Sequence, residues 1–212
     1  MSIKEKFHIT GLFYELKGYK FRKYLNIIKK GSSVHVPDLL IVMMNPGASR
    51  PLDGIDNNTL ESEAVPDRTQ SQIMKVMTAC KLQYARVLNL TDLREPKSNK
   101  MFLKVLEMDK KGIPHSVFDD RRKEDFESLF IRGVAVLYAW GVGKELKDLA
   151  EMAIHRINDN QAVGLKKEGV DWAYYHPLPQ VYKKQVEWAN KIIKLLNNYE
   201  NQETPQGIKK II

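Results

Sequence analysis

This sequence predicts a three-layer α/β/α domain with a mainly parallel four-stranded sheet, and three observations predict it. Four short apolar runs each end in a polar or glycine-containing motif: LLIVMM into Asn45-Pro46-Gly47, ARVL into Asn89, VAVLYA into Trp140-Gly141, and WAYY into His176-Pro177. The runs are continuously rather than alternately apolar, as strands covered on both faces are. Segments with apolar residues at helical spacing separate them, and such strand–helix alternation builds parallel sheets through right-handed crossovers. Parallel strands present their carboxyl ends on one side, so the four motifs converge on the edge where open α/β sheets bind ligands.

Residues 1–34 form a basic segment in which positions 7–30 interleave aromatic and basic side chains, with Gly11 and Gly18 as turn points. This reads as an extended, hairpin-like structure at a sheet edge. The first buried strand follows Pro37-Asp38 and spans 39–44, and a long polar loop covers 45–68. Thr69 offers an N-cap to a helix with Ile73, Val76, Met77 and Cys80 at helical spacing. Strand 84–90 comes next, then a short helix near 100–108. Asp119 or Asp120 caps a helix bearing Phe126, Leu129 and Phe130, which leads into strand 133–139. Gly141 and Gly143 open a helix through about residue 157, and strand 170–175 runs into His176. Val181, Gln185, Trp188, Ile192, Leu195 and Tyr199 align along a final helix, and a loosely ordered tail occupies 201–212.

Composition bounds the function. At 212 residues and 43% hydrophobic, residues 1–212 suffice for one domain with a real core. The start has no apolar signal core and no apolar run is long enough to span a bilayer, so a cytoplasmic location and no membrane partner are expected. The single cysteine, Cys80, makes no internal disulfide and excludes sites built from several thiolates; its place on an apolar helical stripe predicts buried packing. The net charge of +8 is uneven, since residues 1–30 hold eight Lys/Arg against two Glu. Lys17, Lys20, Arg22 and Lys23 lie among aromatics there, which suits phosphate and unpaired bases, although composition alone favours a solvated surface on a basic protein.

The motifs carry the chemistry. Small residues in Asn45-Pro46-Gly47-Ala48-Ser49 let a backbone approach a substrate while Asn45 projects an amide from the strand tip; a plain turn uses the same residues. Asn89 interrupts an apolar strand end, and its amide is satisfied either by a ligand or by a loop carbonyl. His176-Pro177-Leu178-Pro179 sets the imidazole on a rigid backbone. His8, His35, His115 and His155 fall on charged or irregular stretches and read as surface residues. The loop after Asn45 holds Asp53, Asp56, Asn57, Asn58, Glu61, Glu63 and Asp67 without regular ligand spacing, so it reads as a solvated acidic loop. No metal and no cofactor are expected.

Taken in order, Met44-Asn45-Pro46-Gly47, Val87-Leu88-Asn89-Leu90-Thr91, Leu137-Tyr138-Ala139-Trp140-Gly141 and His176-Pro177-Leu178-Pro179 resemble the motif series of the uracil-DNA glycosylase superfamily. The first is similar to the Asn-Pro-Gly loop of its single-strand-selective and mismatch-specific branches. Residues 35–180 resemble more closely still an uncharacterised bacterial family of unknown function with Asn-Pro, Asn-Leu, Trp-Gly and His-Pro-Leu motifs. The resemblance implies a glycosylase-like fold that hydrolyses the N-glycosidic bond of a damaged or deaminated, uracil-like base in DNA. It implies catalytic roles for Asn45, orienting water, and His176, stabilising the leaving base, with Asn89 reading the base. Pro46, Gly47, Ser49, Trp140, Gly141, Pro177 and Tyr182 fall on the matching substrate-binding segments.

The departures are specific. Gly47 stands where tightly uracil-specific members carry a bulky Tyr, Leu178 replaces a Ser, and Gln180 takes the place of the wedge that enters the base stack, leaving Val181 or Tyr182 for that role. Tyr84, Tyr138 and Trp140 are the aromatics available to stack on a flipped base. Two other functions use the same strand ends: a non-catalytic nucleic-acid or nucleotide-binding module, and an enzyme acting on a free nucleoside or nucleotide. DNA or a nucleotide-like ligand is the expected partner in each case.

Overall fold

The computed structural model describes residues 2–158 and 162–203. The chain is an α/β protein whose elements run β1 (Phe7–Leu16), β2 (Tyr19–Lys29), β3 (Leu39–Met43), β4 (Glu61–Glu63), α1 (Arg68–Ala79), β5 (Tyr84–Asn89), α2 (Ser98–Lys110), α3 (Lys123–Leu129), β6 (Ala135–Tyr138), α4 (Lys147–Ile157) and α5 (Tyr182–Glu203). One six-stranded sheet has the order β4-β1-β2-β5-β3-β6. β3 pairs in parallel with β5 and β6, whereas β1 pairs antiparallel with β2 and β4, and β2 antiparallel with β5.

The sheet is therefore mixed and six-stranded rather than mainly parallel and four-stranded. The basic N-terminal segment is the larger part of the difference. Lys17 and Gly18 both take left-handed φ angles (51° and 78°), as a tight two-residue hairpin turn requires, and β1 and β2 extend the sheet by pairing with β5. Gly11 is no turn point. It lies inside β1, where a Cβ would stand 2.9 Å from the Tyr24 carbonyl oxygen and 3.2 Å from the Phe13 ring. Its lack of a side chain is what lets the two strands approach there.

The run WAYY is not a fourth parallel strand. Residues 170–175 are joined to the fold by isolated contacts: the Gly141 amide donates to the Tyr174 carbonyl at 2.7 Å, and the Tyr175 amide to the Leu165 carbonyl at 2.8 Å. The free edge of β6 is instead met by Val163. The apolar character of the run serves a different purpose: Tyr174 packs edge-on against Tyr138 and Trp140, and Trp172 packs against the same core layer while its carbonyl accepts from Trp140 Nε1.

Alternation along the strands sorts the core into two layers. Leu25, Ile27, Leu39, Ile41, Val87 and Leu137 face α1 and α5 through Ile73, Met77, Trp188 and Ile192. Leu40, Val42, Leu88, Val136 and Tyr138 face α2, α3 and α4 through Met101, Val105, Phe126, Ala150 and Ala153. Helices thus cover both faces of the sheet, which is why its central strands read as uninterrupted apolar runs. Cys80 is buried at the end of α1.

Several local boundaries moved. Asp67, not Thr69, caps α1: its carboxylate accepts from the Gln70 amide at 2.7 Å while the Gln70 side chain accepts from the Asp67 amide at 3.0 Å, so two orphan donors are satisfied at once. α4 starts at Lys147, after a 3-10 turn over Lys144–Leu146. Asn201–Glu203 belong to α5, and the rest of the expected tail, 204–212, lies outside the described residues. The acidic loop is not simply solvated, because Asp56 pairs with Arg94 and with Lys20 and the loop contributes β4. His115 is buried, its ring nitrogens 2.9 Å from Thr91 Oγ1 and 3.0 Å from Asp109 Oδ1. Among the described residues no helix is long and apolar enough to cross a membrane.

Candidate functional site

At the carboxyl ends of β3 and β5 the structure forms a cavity of about 210 Å³. Its walls are Met43 to Gly47 at the end of β3 and just after it, Asp67, Thr69 and Gln70 at the start of α1, Arg22 and Leu25 from β2, Val87 from β5, Pro96 from the segment after β5, and His176 from the segment before α5. Asn45, Pro46, Gly47 and His176, more than a hundred residues apart in sequence, therefore share one pocket.

Asn45 is held from behind. Its Nδ2 donates to the carbonyls of Leu93 at 3.1 Å and Glu95 at 2.8 Å. Both amide N–H groups are thereby used, which leaves Oδ1, an acceptor, as the polar atom this lining residue has to offer. Gly47 takes φ +61° and has nothing within 4 Å of where a Cβ would stand, so the backbone conformation rather than crowding calls for glycine.

His176 is set by its neighbour. Nδ1 accepts from the Leu178 amide at 3.1 Å, so in the neutral ring the proton sits on Nε2 and that atom is a donor. Burial lowers the imidazole's pKa below its ordinary value, and the Asp67 carboxylate works in the opposite direction. Pro177 is buried directly beside it.

Arg22 reaches the pocket because of a defect in the hairpin. Tyr24 opposes Leu12 but Arg22 opposes Phe13, so Lys23 is an extra residue in β2. In a regular strand Arg22 and Leu25 would lie on opposite faces; the bulge brings both to the pocket wall. The Arg22 side chain is 3% exposed, and burial draws its pKa down to about 10 against the pull of Asp67 and Asp92. Its one side-chain hydrogen bond among the described residues runs from Nη2 to Asn89 Oδ1 at 3.5 Å, and Nε has no partner. Arg22 is therefore no part of a solvent-facing phosphate arm.

The other sequence-predicted residues fall elsewhere. Asn89 is fully buried and contacts Arg22 rather than lining the pocket. Ser49 is buried off the wall, its amide donating to the Pro46 carbonyl at 3.1 Å. Trp140 is fully buried in the core, donating from Nε1 to the Trp172 carbonyl at 2.8 Å, with the Tyr138 ring 4.6 Å away. Gly141 carries the adjoining turn at φ +116°. Tyr182 is 70% exposed on the first turn of α5. Lys17 is exposed at the hairpin tip, Lys20 pairs with Asp56 at 3.4 Å, and Lys23 pairs with Asp125 at 2.7 Å. Asp67 and Gln70 are pocket residues that the sequence reading did not single out as a site, although Asp67-x-x-Gln70 is a capping signature. Among the described residues no cluster of three metal-ligating side chains occurs.

No protein-family model, curated protein or solved structure matches this chain.

Proposed function

We propose that this pocket binds a nucleobase and that the protein is a glycosylase-like hydrolase of the N-glycosidic bond of a damaged or deaminated base in DNA. The observation that carries the reading is the pairing of Asn45 and His176 on one small cavity with complementary chemistry, an acceptor on one and a neutral N–H donor on the other. In such a hydrolysis the C1′–N bond breaks with its electron pair leaving on the base, and a water oxygen bonds to C1′. A donor fixed against the base stabilises that developing charge more than the ground state, which is the condition for catalysis. His176 Nε2 supplies the donor, and Asn45 Oδ1 orients the water without taking its proton, which leaves with the departing base anion and makes it the neutral base. The resemblance to the uracil-DNA glycosylase superfamily assigns the same two residues.

The test is incubation of the purified protein with single- and double-stranded oligonucleotides carrying uracil, hypoxanthine or mismatched bases, followed by assay for abasic sites. Abasic sites that disappear in His176→Ala, with DNA affinity retained, support hydrolysis. Binding without base release by the wild-type protein supports the non-catalytic module instead, a reading that Asn45's lack of basicity favours.

A further inference from the structure

Two residues of the pocket wall, and a third behind it, carry buried donors with no protein partner. Arg22 Nε, Gln70 Nε2 and Asn89 Nδ2 all lack a hydrogen bond among the described residues; Arg22 and Gln70 line the cavity, and Asn89 touches Arg22. Buried polar groups are almost always paired, and a buried cation with unfilled donors is costly to hold. Arg22 and Gln70 make that part of the wall rich in donor groups, which favours a ligand rich in acceptors. One wall also carries a carboxylate, Asp67, of which Oδ1 accepts from the Gln70 amide.

We propose that the pocket reads a 6-oxopurine, a base of the hypoxanthine type, through Arg22 and Asp67. The proposal rests on the base-binding reading of the site but not on hydrolysis. A guanidinium is a planar fork that matches two adjacent acceptors, and a 6-oxopurine offers O6 and N7 side by side. Uracil does not, because each of its carbonyls is flanked by N–H or C–H. Next to O6 a 6-oxopurine presents N1–H, a donor that a carboxylate oxygen of Asp67 accepts. Adenine inverts both contacts: its amino group faces the guanidinium, and its bare N1 faces the carboxylate. The roughly 210 Å³ cavity corresponds to about seven waters at ~30 Å³ each. It is smaller than the roughly 300–1,000 Å³ of sites for drug-sized ligands, which suits a base with its sugar and phosphate left outside.

The measurement is titration calorimetry of the full chain with free hypoxanthine, adenine and uracil. Hypoxanthine is expected to bind at least about tenfold more tightly than either of the others, the discrimination a good bidentate contact confers. Asp67→Asn keeps a competent helix cap and so the fold, and it should remove most of the preference over adenine with an unchanged melting temperature. Arg22→Lys keeps the charge, loses the fork and should weaken hypoxanthine binding by about tenfold or more. Equal affinity for the three bases, tighter binding of uracil or adenine, no binding of any, or an Asp67→Asn variant with its preference intact each overturns the proposal. Hypoxanthine binding without base release from any oligonucleotide overturns hydrolysis and leaves the recognition standing, whereas release of uracil but not hypoxanthine overturns the recognition alone.

Discussion

Arg22 Nη2 donates to Asn89 Oδ1 at 3.5 Å, and of these two residues it is Arg22 that lines the pocket. Asn89 thus meets the cavity only by way of the guanidinium that it touches. The amide that reads in sequence as a base contact is a positioning group for the cation in front of it.

Replacing that amide with a carboxylate tests the relationship. Asn89→Asp sets a negative charge beside a buried guanidinium whose Nε is unpartnered, and a charge-assisted bond there draws the fork away from the pocket. Base affinity is expected to fall by about tenfold or more, since hydrogen bonds to charged groups are worth about 1.5–3 kcal/mol. Calorimetric titration reads the loss, and a melting temperature no lower than the wild type's shows that the fold is kept.

His176 predicts a pH dependence of stability. Burial holds its folded-state pKa below the ordinary value of about 6.5. Between the two values the unfolded chain binds more protons, so stability is fully present above about pH 6.5 and falls as the pH drops through that window. Urea unfolding at about pH 5 and about pH 7.5 should show this slope in the wild type and a shallower one in His176→Gln. If the neutral Nε2–H is the working donor, base release should also stay level from about pH 7 to about pH 8, above the ordinary histidine range.

A buried ion pair ties the hairpin to the segments that follow β5 and precede α3. Asp92, fully buried, accepts from Arg122 Nη1 at 2.5 Å and from the Tyr14 hydroxyl at 3.2 Å. Asp92→Ala leaves Arg122 with Asp125 alone, at 2.9 Å from its Nε, so the loss is expected near the lower end of the roughly 3–5 kcal/mol that breaking a buried pair costs. Equilibrium denaturation is expected to show a loss of that size.

Gly11 marks the closest approach within the hairpin. A methyl group there meets the Tyr24 carbonyl oxygen at 2.9 Å, and that oxygen belongs to backbone that cannot swing aside. Gly11→Ala should cost about 1–3 kcal/mol, as overpacking does. The change in denaturation midpoint measures it.

The class of fold, the central strands β3, β5 and β6 and the helices between them were readable in the sequence. Unbroken runs such as Leu39–Met43 have one physical solution, burial on both faces. The convergence of Asn45 and His176 was readable as well, although the strand expected before His176 is a loop. WAYY misled because aromatic packing against Tyr138 and Trp140 and burial inside a sheet select the same apolar residues. Trp140 misled in the same way, ending a strand yet turning into the core.

What the sequence determined by itself were the local preferences: continuous apolar runs, helical periodicity, and the Asp67-x-x-Gln70 cap available at the start of α1. Only the tertiary structure decided which side chains meet. The hairpin's place in the sheet depends on pairing β2 with β5, a contact between residues some sixty positions apart that no local pattern encodes. Arg22 enters the pocket because one extra residue in β2 reverses the alternation of faces, and its identity as a basic residue among aromatics is the same whether it points to solvent or to the cavity. Composition describes a residue's chemistry, but register decides what that chemistry faces.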